Sequence, residues 1–351
     1  PFQREVSAAF GELAVPLLSD RQHIPFVHRV EVSGAVRAEH FSDLGNRTSP
    51  SLNALYQPAK WLTFRAARTT GFQAPKLYDL LAPNYATTAT ITASRGIKDT
   101  LRNNEAVVGT YDLTTGGQPQ LKPETSVSRD AGAVLDVPFV KGLSFSIDFW
   151  TIDYKDQVSA PGYQDLITFF PERVTRNSLN VITGFDTSVI NQSKVQTKGV
   201  DYRGTYEHAF SFGRLMISAS VSDQGEVIAT ATPSSKPTHR IMPLKGSSSV
   251  FWSHGSWTGG VAVNYQGRYQ PYAGATTLYP SYIEWNPQAS YDFGNRAASE
   301  GAWGTIFKDI KLTVTVINLF NKDPNNWDVA NGRIVMDPRL RRYVLTLTKK
   351  F

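Results

Sequence analysis

The chain has no cysteine, which excludes disulfides, thiolate metal sites, iron–sulfur clusters and cysteine nucleophiles together. No apolar run approaches the roughly 18 residues that a membrane-crossing helix requires, so helical membrane proteins are excluded. Nothing near the start resembles a signal peptide. The six histidines, His23, His28, His40, His208, His239 and His254, stand apart and never at His-x-x-x-His spacing, which leaves no metal pattern. The Gly-rich pieces at 115–117 and 255–260 precede no helix, so neither forms a phosphate cradle. With no Gly-x-Ser-x-Gly elbow and no nucleophile beside a base, no enzyme activity and no cofactor is assigned.

Charge is also sparse. Lys and Arg number 36 against 30 Asp and Glu, a net +6. The basic residues are dispersed, the densest groups being Arg339, Arg341, Arg342 and Lys349, Lys350. That argues against nucleic acid as a partner. Helical periodicity is scarce as well, the one apolar cluster at helical spacing being Leu77, Leu80 and Leu81 after Pro75.

What fills the 351 residues is alternation. Val30, Val32, Val36 and Ala38, with Gly34, share one face, and Glu31, Ser33, Arg37 and Glu39 the other. The same holds for Leu143, Phe145, Ile147, Phe149 and for Ile310, Leu312, Val314, Val316. It holds again at the end, where Tyr343, Leu345, Leu347 and Phe351 oppose Val344, Thr346, Thr348 and Lys350. Period two with chemically different faces predicts strands between two solvents.

Segments such as 4–17, 26–41, 143–156 and 310–320 run about ten to fifteen residues, longer than soluble strands and sufficient for a tilted crossing of a bilayer. Roughly thirteen strands are expected, centred near Ala8, Val32, Leu55, Phe64, Ser128, Ile147, Tyr202, Ser218, Ser248, Val263, Asn286, Thr315 and Leu345. Short links at 57–60, 137–142, 209–213 and 253–256 alternate with long ones at 71–121, 157–194, 225–237 and 321–339. Short turns at one end and long loops at the other are the asymmetry of an outer-membrane β-barrel. Trp61, Phe139, Trp150, Tyr154, Trp252, Trp257, Tyr269, Tyr272, Tyr291 and Phe293, near strand ends, are expected in interfacial girdles.

The expected fold is therefore all-β, a transmembrane antiparallel barrel whose last strand closes the wall in lipid, with Tyr343, Leu345, Leu347 and the terminal Phe351 as the barrel assembly signal and Phe351 at the periplasmic interface. Arg29, Glu31, Arg37, Glu39, Arg65, Asp148, Asp201 and Arg203 are expected on the lumen face, pairing across strands. An odd strand count places the start of the chain at the long-loop end. Two other classes fit the alternation less well: a passive porin-like channel, which needs an even count, and a soluble all-β binding module, which needs both faces packed.

The stretch LTFRAARTTGFQAPKLYDLL (62–81) resembles the segment of TonB-dependent outer-membrane receptors in which an arginine-bearing strand runs into a Gly-Phe-x-Ala-Pro turn. LKPETSVSRDAGAVL (121–135) is similar to their Leu-x-Pro-Glu-x-Ser strand start. KGVDYRGTY (198–206), VINLFNKDP (316–324), PFQREVSAAFGELAVPLL (1–18) and the final aromatic follow in the family's order. The resemblance implies a barrel of about 22 strands closed by a plug, importing a scarce nutrient such as a siderophore, cobalamin, an oligosaccharide or a peptide. TonB, with ExbB and ExbD, would supply energy through the plug, and outer-membrane lipid and the barrel assembly machinery would be the other partners. The plug and roughly the first nine strands of such a barrel are expected to be absent here, leaving the C-terminal part of one barrel domain over 1–351.

Recognition in that family comes from extracellular loops. By composition the candidates are Tyr85, Arg95, Arg102, Asn103 and Asn104, then Tyr163, Arg173 and Arg176, then Asn325, Asn326, Trp327 and Arg333. Of these Arg102, Asn104, Tyr163, Arg176, Asn326, Trp327 and Arg333 are the expected ligand-binding set, since aromatic planes with polar groups suit sugars and aromatic chelates.

Overall fold

The computed structural model describes residues 3–191, 194–230, 238–241, 244–269, 278–294, 309–323 and 339–349. Thirteen long strands follow one another along a single antiparallel sheet. They are β1 (Val6–Ser19), β2 (Arg29–Phe41), β3 (Gly45–Ala59), β4 (Leu62–Gln73), β5 (Glu124–Asp136), β6 (Leu143–Lys155) and β7 (Lys194–Phe210), then β8 (Gly213–Asp223), β9 (Lys245–His254), β10 (Trp257–Gln266), β11 (Tyr282–Asp292), β12 (Ile310–Ile317) and β13 (Arg342–Lys349). Every strand centre expected from alternation falls inside one of them. Two short strands, Glu226–Thr230 and Thr238–Ile241, extend the sheet beside β7.

Register turns the alternation of each strand into whole rows. One row reads Val15, Val32, Ala54, Ala66, Ala131, Phe149 and Val200 across seven strands, all apolar. The row beside it reads Glu31, Leu55, Arg65, Gly132, Asp148, Asp201, Ser222, Lys245 and Gln266. Because neighbouring residues point to opposite faces, the sheet has one apolar face and one polar face. A slip of one residue would exchange them.

No layer covers the apolar face among the described residues. Leu52, Phe149 and Leu345 are 58%, 54% and 70% exposed. A soluble sandwich would bury such side chains, and in water a patch this continuous drives association. In hydrocarbon it is simply solvated, while the ladder pairs the backbone groups of the interior strands.

The strands alternate in direction, which sorts the connections by end. Residues 60–61, 137–142, 211–212 and 255–256 turn at one end, and 74–123, 156–193, 224–244, 267–281 and 318–341 connect at the other. Residues 20–28 also cross at the short-turn end, and 293–309 is a longer connection there that alternation did not predict. Conversely, 42–44 is a tight turn at the long-loop end. In the 137–142 turn Gly142 has φ +86°, and a Cβ there would lie 1.9 Å from the Glu207 carbonyl oxygen, so only glycine lets the turn lie against β7.

Trp61, Phe139, Trp252, Trp257 and Tyr291 do gather at the short-turn end. Trp257 and Tyr291 meet edge to face at 4.8 Å, and Tyr291 meets Phe293 at 4.8 Å. Three expected girdle residues lie elsewhere. Trp150 and Tyr154 share the parity of Asp148 and so face the polar side, where the Tyr154 hydroxyl donates to Glu124 at 2.6 Å. Tyr269 is buried, stacked on Tyr279 at 5.5 Å. Aromatic composition near strand ends does not reveal facing, and parity overrules it here. Tyr272 lies outside the described residues.

The closure expected of the last strand is not seen. Tyr343, Leu345 and Leu347 share the apolar face, but β13 pairs with β12 alone and β1 with β2 alone, so the sheet is open among the described residues. With thirteen strands β1 and β13 run in the same sense, and an antiparallel seam between them is geometrically impossible. Val6 begins at the long-loop end, unlike the start that the even-stranded channel alternative requires. Phe351 lies outside the described residues.

Candidate functional site: the polar wall and the loop cap

The eight charged residues expected on the lumen side all lie on the polar face, and they are largely neutralised in place. Arg29 pairs with Glu31 at 2.5 Å and Arg37 with Glu39 at 2.9 Å, each two residues apart on one strand. Arg65 donates two hydrogen bonds to Asp148, at 2.8 and 2.6 Å, reaching from β4 to β6 over β5. The residue it crosses is Gly132, where a Cβ would stand 1.9 Å from Asp148 Oδ1. A missing side chain is thus what permits an ion pair two strands wide.

Serine pairs continue the ladder on β8 and β9, Ser218 with Ser249 and Ser220 with Ser247, both at 2.8 Å. Together with Arg65, Asp148, Asp201, Arg203 and Lys245 these strands border a cleft of about 750 Å³. Asp201 stands directly opposite Asp148, and one of its carboxylate oxygens is buried with no hydrogen-bond partner among the described residues.

Beyond the sheet, the connections 74–123 and 156–193 fold together. Strands Val174–Arg176, Ile182–Asp186, Gly109–Thr115 and Tyr85–Ile91 form a small mixed sheet in that order. Its middle pair, one strand from each connection, is parallel. Helix α1 (Leu77–Leu81) leads into the first connection, and its leucines are those noted after Pro75. Helix α2 (Tyr163–Phe169) buries Leu166 and Ile167 against Ile91, Val107, Val174, Ile182 and Phe185. These two connections are thus a compact cap with a core of its own.

Four of the expected ligand-binding residues lie in this cap, and three converge on Asp99, which is 3% exposed. Arg176 donates to both Asp99 oxygens at 2.7 Å and to the Asn180 carbonyl at 2.8 Å. The backbone N–H groups of Arg102 and Asn104 donate to the Asp99 carbonyl at 3.1 and 3.0 Å, and Asn104 holds φ +60° to do so. The Arg176 guanidinium holds the Asp99 carboxyl below the usual carboxylate range, helped by the Leu101 N–H. Arg102 pairs with Glu105 at 3.2 Å and is partly exposed.

Tyr163 opens α2 with its ring 5.1 Å from Phe185 and the Arg95 guanidinium 5.8 Å from its centroid. Arg173, also a candidate, pairs with Asp186 at 3.1 Å and donates to the Ser188 carbonyl. Tyr78, Tyr85, Leu101, Arg95 and Lys98 are exposed on these connections. Composition missed Asp99 and Phe185, the two residues around which the cap is organised. Asn325, Asn326, Trp327 and Arg333 lie outside the described residues.

An open antiparallel wall, apolar on one face and charged on the other, with a folded cap at one end, defines the class: part of a β-barrel of the membrane-crossing kind. Residues 2–319 match the family described as TonB dependent receptor-like, beta-barrel, and the chain belongs to it. Barrels of this family are outer-membrane proteins. No curated protein matches the chain. Among solved structures it is similar to the siderophore receptor PirA from Acinetobacter baumannii, at 16% identity and TM-score 0.66, over 98% of this chain and 45% of that one. It is similar to the ferric enterobactin receptor PfeA from Pseudomonas aeruginosa, in complex with enterobactin, at 17% identity and TM-score 0.64, over 91% and 40%. The FrpB iron transporter from Neisseria meningitidis follows at 12% identity and TM-score 0.53, over 91% and 41%. The chain therefore spans less than half the length of these structures, and the likeness is one of fold.

Proposed function

We propose that residues 1–351 form the C-terminal part of a single barrel domain in an outer-membrane receptor that imports a scarce nutrient, an iron chelate being the best-supported cargo, with energy delivered by TonB, ExbB and ExbD. The observation that carries this reading is the two-faced wall: a hydrocarbon-compatible outer surface around a charged lumen, with the cap above. Family membership supports the transport class, and the solved structures of similar fold are siderophore and iron receptors by their titles. In this reading the apolar face meets outer-membrane lipid, and β13, with Tyr343, Leu345 and Leu347, carries the signal read by the barrel assembly machinery.

Cargo is captured from the side of the long loops. Arg102, together with the exposed Tyr85 and Arg95, contacts it, while Asn104, Tyr163 and Arg176 hold the surface in shape from behind. Asn326, Trp327 and Arg333 belong to the same ligand-binding set. The unpartnered oxygen of Asp201 receives a basic group of the plug within the lumen.

The experiment is uptake of iron-55 siderophores into cells carrying the full-length receptor. Uptake is expected to vanish when TonB is deleted or the proton-motive force is dissipated. Uptake that survives both and scales linearly with concentration would point to a passive channel instead.

A further inference from the structure

The small sheet of the cap has two edges, and they are built differently. Its edge at Val174–Arg176 is three residues long, carries a bulge between Thr175 and Arg176, and ties Arg176 to Asp99. Shortness, bulges and charge are what keep an edge from pairing with another chain. The other edge, Tyr85–Ile91, is seven residues long, lies in unbroken register on Gly109–Thr115, and contains neither a charge nor a proline. Among the described residues it pairs with Gly109–Thr115 alone, so about half of its N–H and C=O groups point outward unpaired. Tyr85, Ala86, Thr87 and Thr88 are all exposed, although successive residues point to opposite faces.

The strand is also two-sided. Ala89 and Ile91 lie in register with Tyr111 and Gly109 on the face that packs on the cap core, Ile91 being 1% exposed. Ala86, Thr88 and Thr90 lie on the opposite face with Thr114, Asp112 and Thr110, and all six are exposed. Asp112 is the one charge that the two strands carry there. It stands between Thr88 and Gly184 and makes no ion pair among the described residues. Asp186, the next acid on this face, is already held by Arg173 at 3.1 Å.

We infer that the open edge of Tyr85–Ile91 takes an extended peptide segment as a fifth strand of the four-stranded cap sheet. Apolar side chains of that segment continue the core face beside Ala89 and Ile91, and a basic side chain reaches over Thr88 to Asp112. A row of outward N–H and C=O groups is matched by another extended backbone, and an unpaired acid one strand in selects a cation. The wall already contains such a reach, since Arg65 crosses one intervening strand to Asp148 at 2.6 Å. The segment need not be the cargo, so the inference stands apart from the import reading.

The test uses the full-length receptor purified in detergent and a fluorescent heptapeptide, Val-Ser-Val-Arg-Val-Ser-Val, blocked at both ends and followed by anisotropy. Wild type is expected to bind it. The same peptide N-methylated throughout should bind about tenfold more weakly, because it cannot donate to the edge. Thr88→Lys, which sets a cation on the edge beside Asp112, should weaken binding about tenfold. Asp112→Asn should weaken it about threefold and leave unchanged the binding of a peptide with serine in place of arginine. Thr175→Lys, at the blunted edge, should have no effect, and protease resistance of the cap should be unaltered in all three variants. No binding by wild type at millimolar peptide, equal binding of the N-methylated peptide, or wild-type binding by Thr88→Lys or Asp112→Asn would each overturn the proposal. A wild type that dimerises in detergent while Thr88→Lys stays monomeric would seat a second copy on the edge and overturn it as well.

Discussion

At Gly132 a single hydrogen atom decides whether two charges meet. Glycine→alanine there would force a methyl group to within 1.9 Å of Asp148 Oδ1 and 2.6 Å of the Ile147 carbonyl oxygen, so the Arg65–Asp148 pair must open. We expect Gly132→Ala to lower the stability of the folded barrel by about 1–3 kcal/mol in urea titrations in lipid, and Arg65→Gln to add little further in that background. Asp99 is the second residue on which much depends. Asp99→Asn leaves Arg176 without its counter-charge in a closed site, and should destabilise the cap by about 3 kcal/mol. The sign with pH follows from the lowered carboxyl. The pair's contribution is fully present above the ordinary carboxylate range and is lost as pH falls below it, through the depressed value of the folded cap. Protection against hydrogen exchange across 98–106 and 174–182, taken relative to the intrinsic rate at each pH, should therefore fall in acid for wild type and change less for the Asn variant. Neither residue was singled out by sequence. Gly132 is one glycine in a strand and Asp99 one acid in a loop until register and folding supply their neighbours.

At the scale of elements, what was legible divides cleanly. All thirteen wall strands could be read because period two is imposed by two solvents, a constraint local enough to print itself on ten consecutive residues. The cap could not. Its strands are short, Tyr85–Ile91 alternates threonine with alanine, and its core joins Ile91 and Val107 of one connection to Leu166, Ile182 and Phe185 of another. No window of sequence contains both halves. The candidate ligand residues that the structure describes all lie in these two connections, but composition could not separate those that reach outward from those that pack, as Tyr163 and Arg176 do. Phe185→Ala, which empties the centre of that core, should cost about 3–5 kcal/mol of cap stability. Proteolysis should then cut within 74–123 and 156–193 while wall fragments remain resistant. On the wall itself, Phe149→Arg should cost about 2–4 kcal/mol in lipid. Ser220→Arg, on the opposite face, should cost much less, and equal penalties for the two would mean the faces have been misassigned.

On the scale of the whole molecule, the cap and the wall answer to different solvents and meet through the backbone at β4, β5, β6 and β7 and through the Val158 N–H, which donates to the Glu124 carboxylate of β5 at 2.7 Å. The cap sheet takes its central parallel pair from two separate connections, Ile182–Asp186 beside Gly109–Thr115, and the Asp99–Arg176 pair fastens the same two connections again. A lid made from one loop swings on two tethers and can flap aside. This one is laced together from two hairpins and hangs on four, so it cannot peel open without tearing its own sheet. The motion that this lacing allows is a small tilt or lift of the cap as one piece.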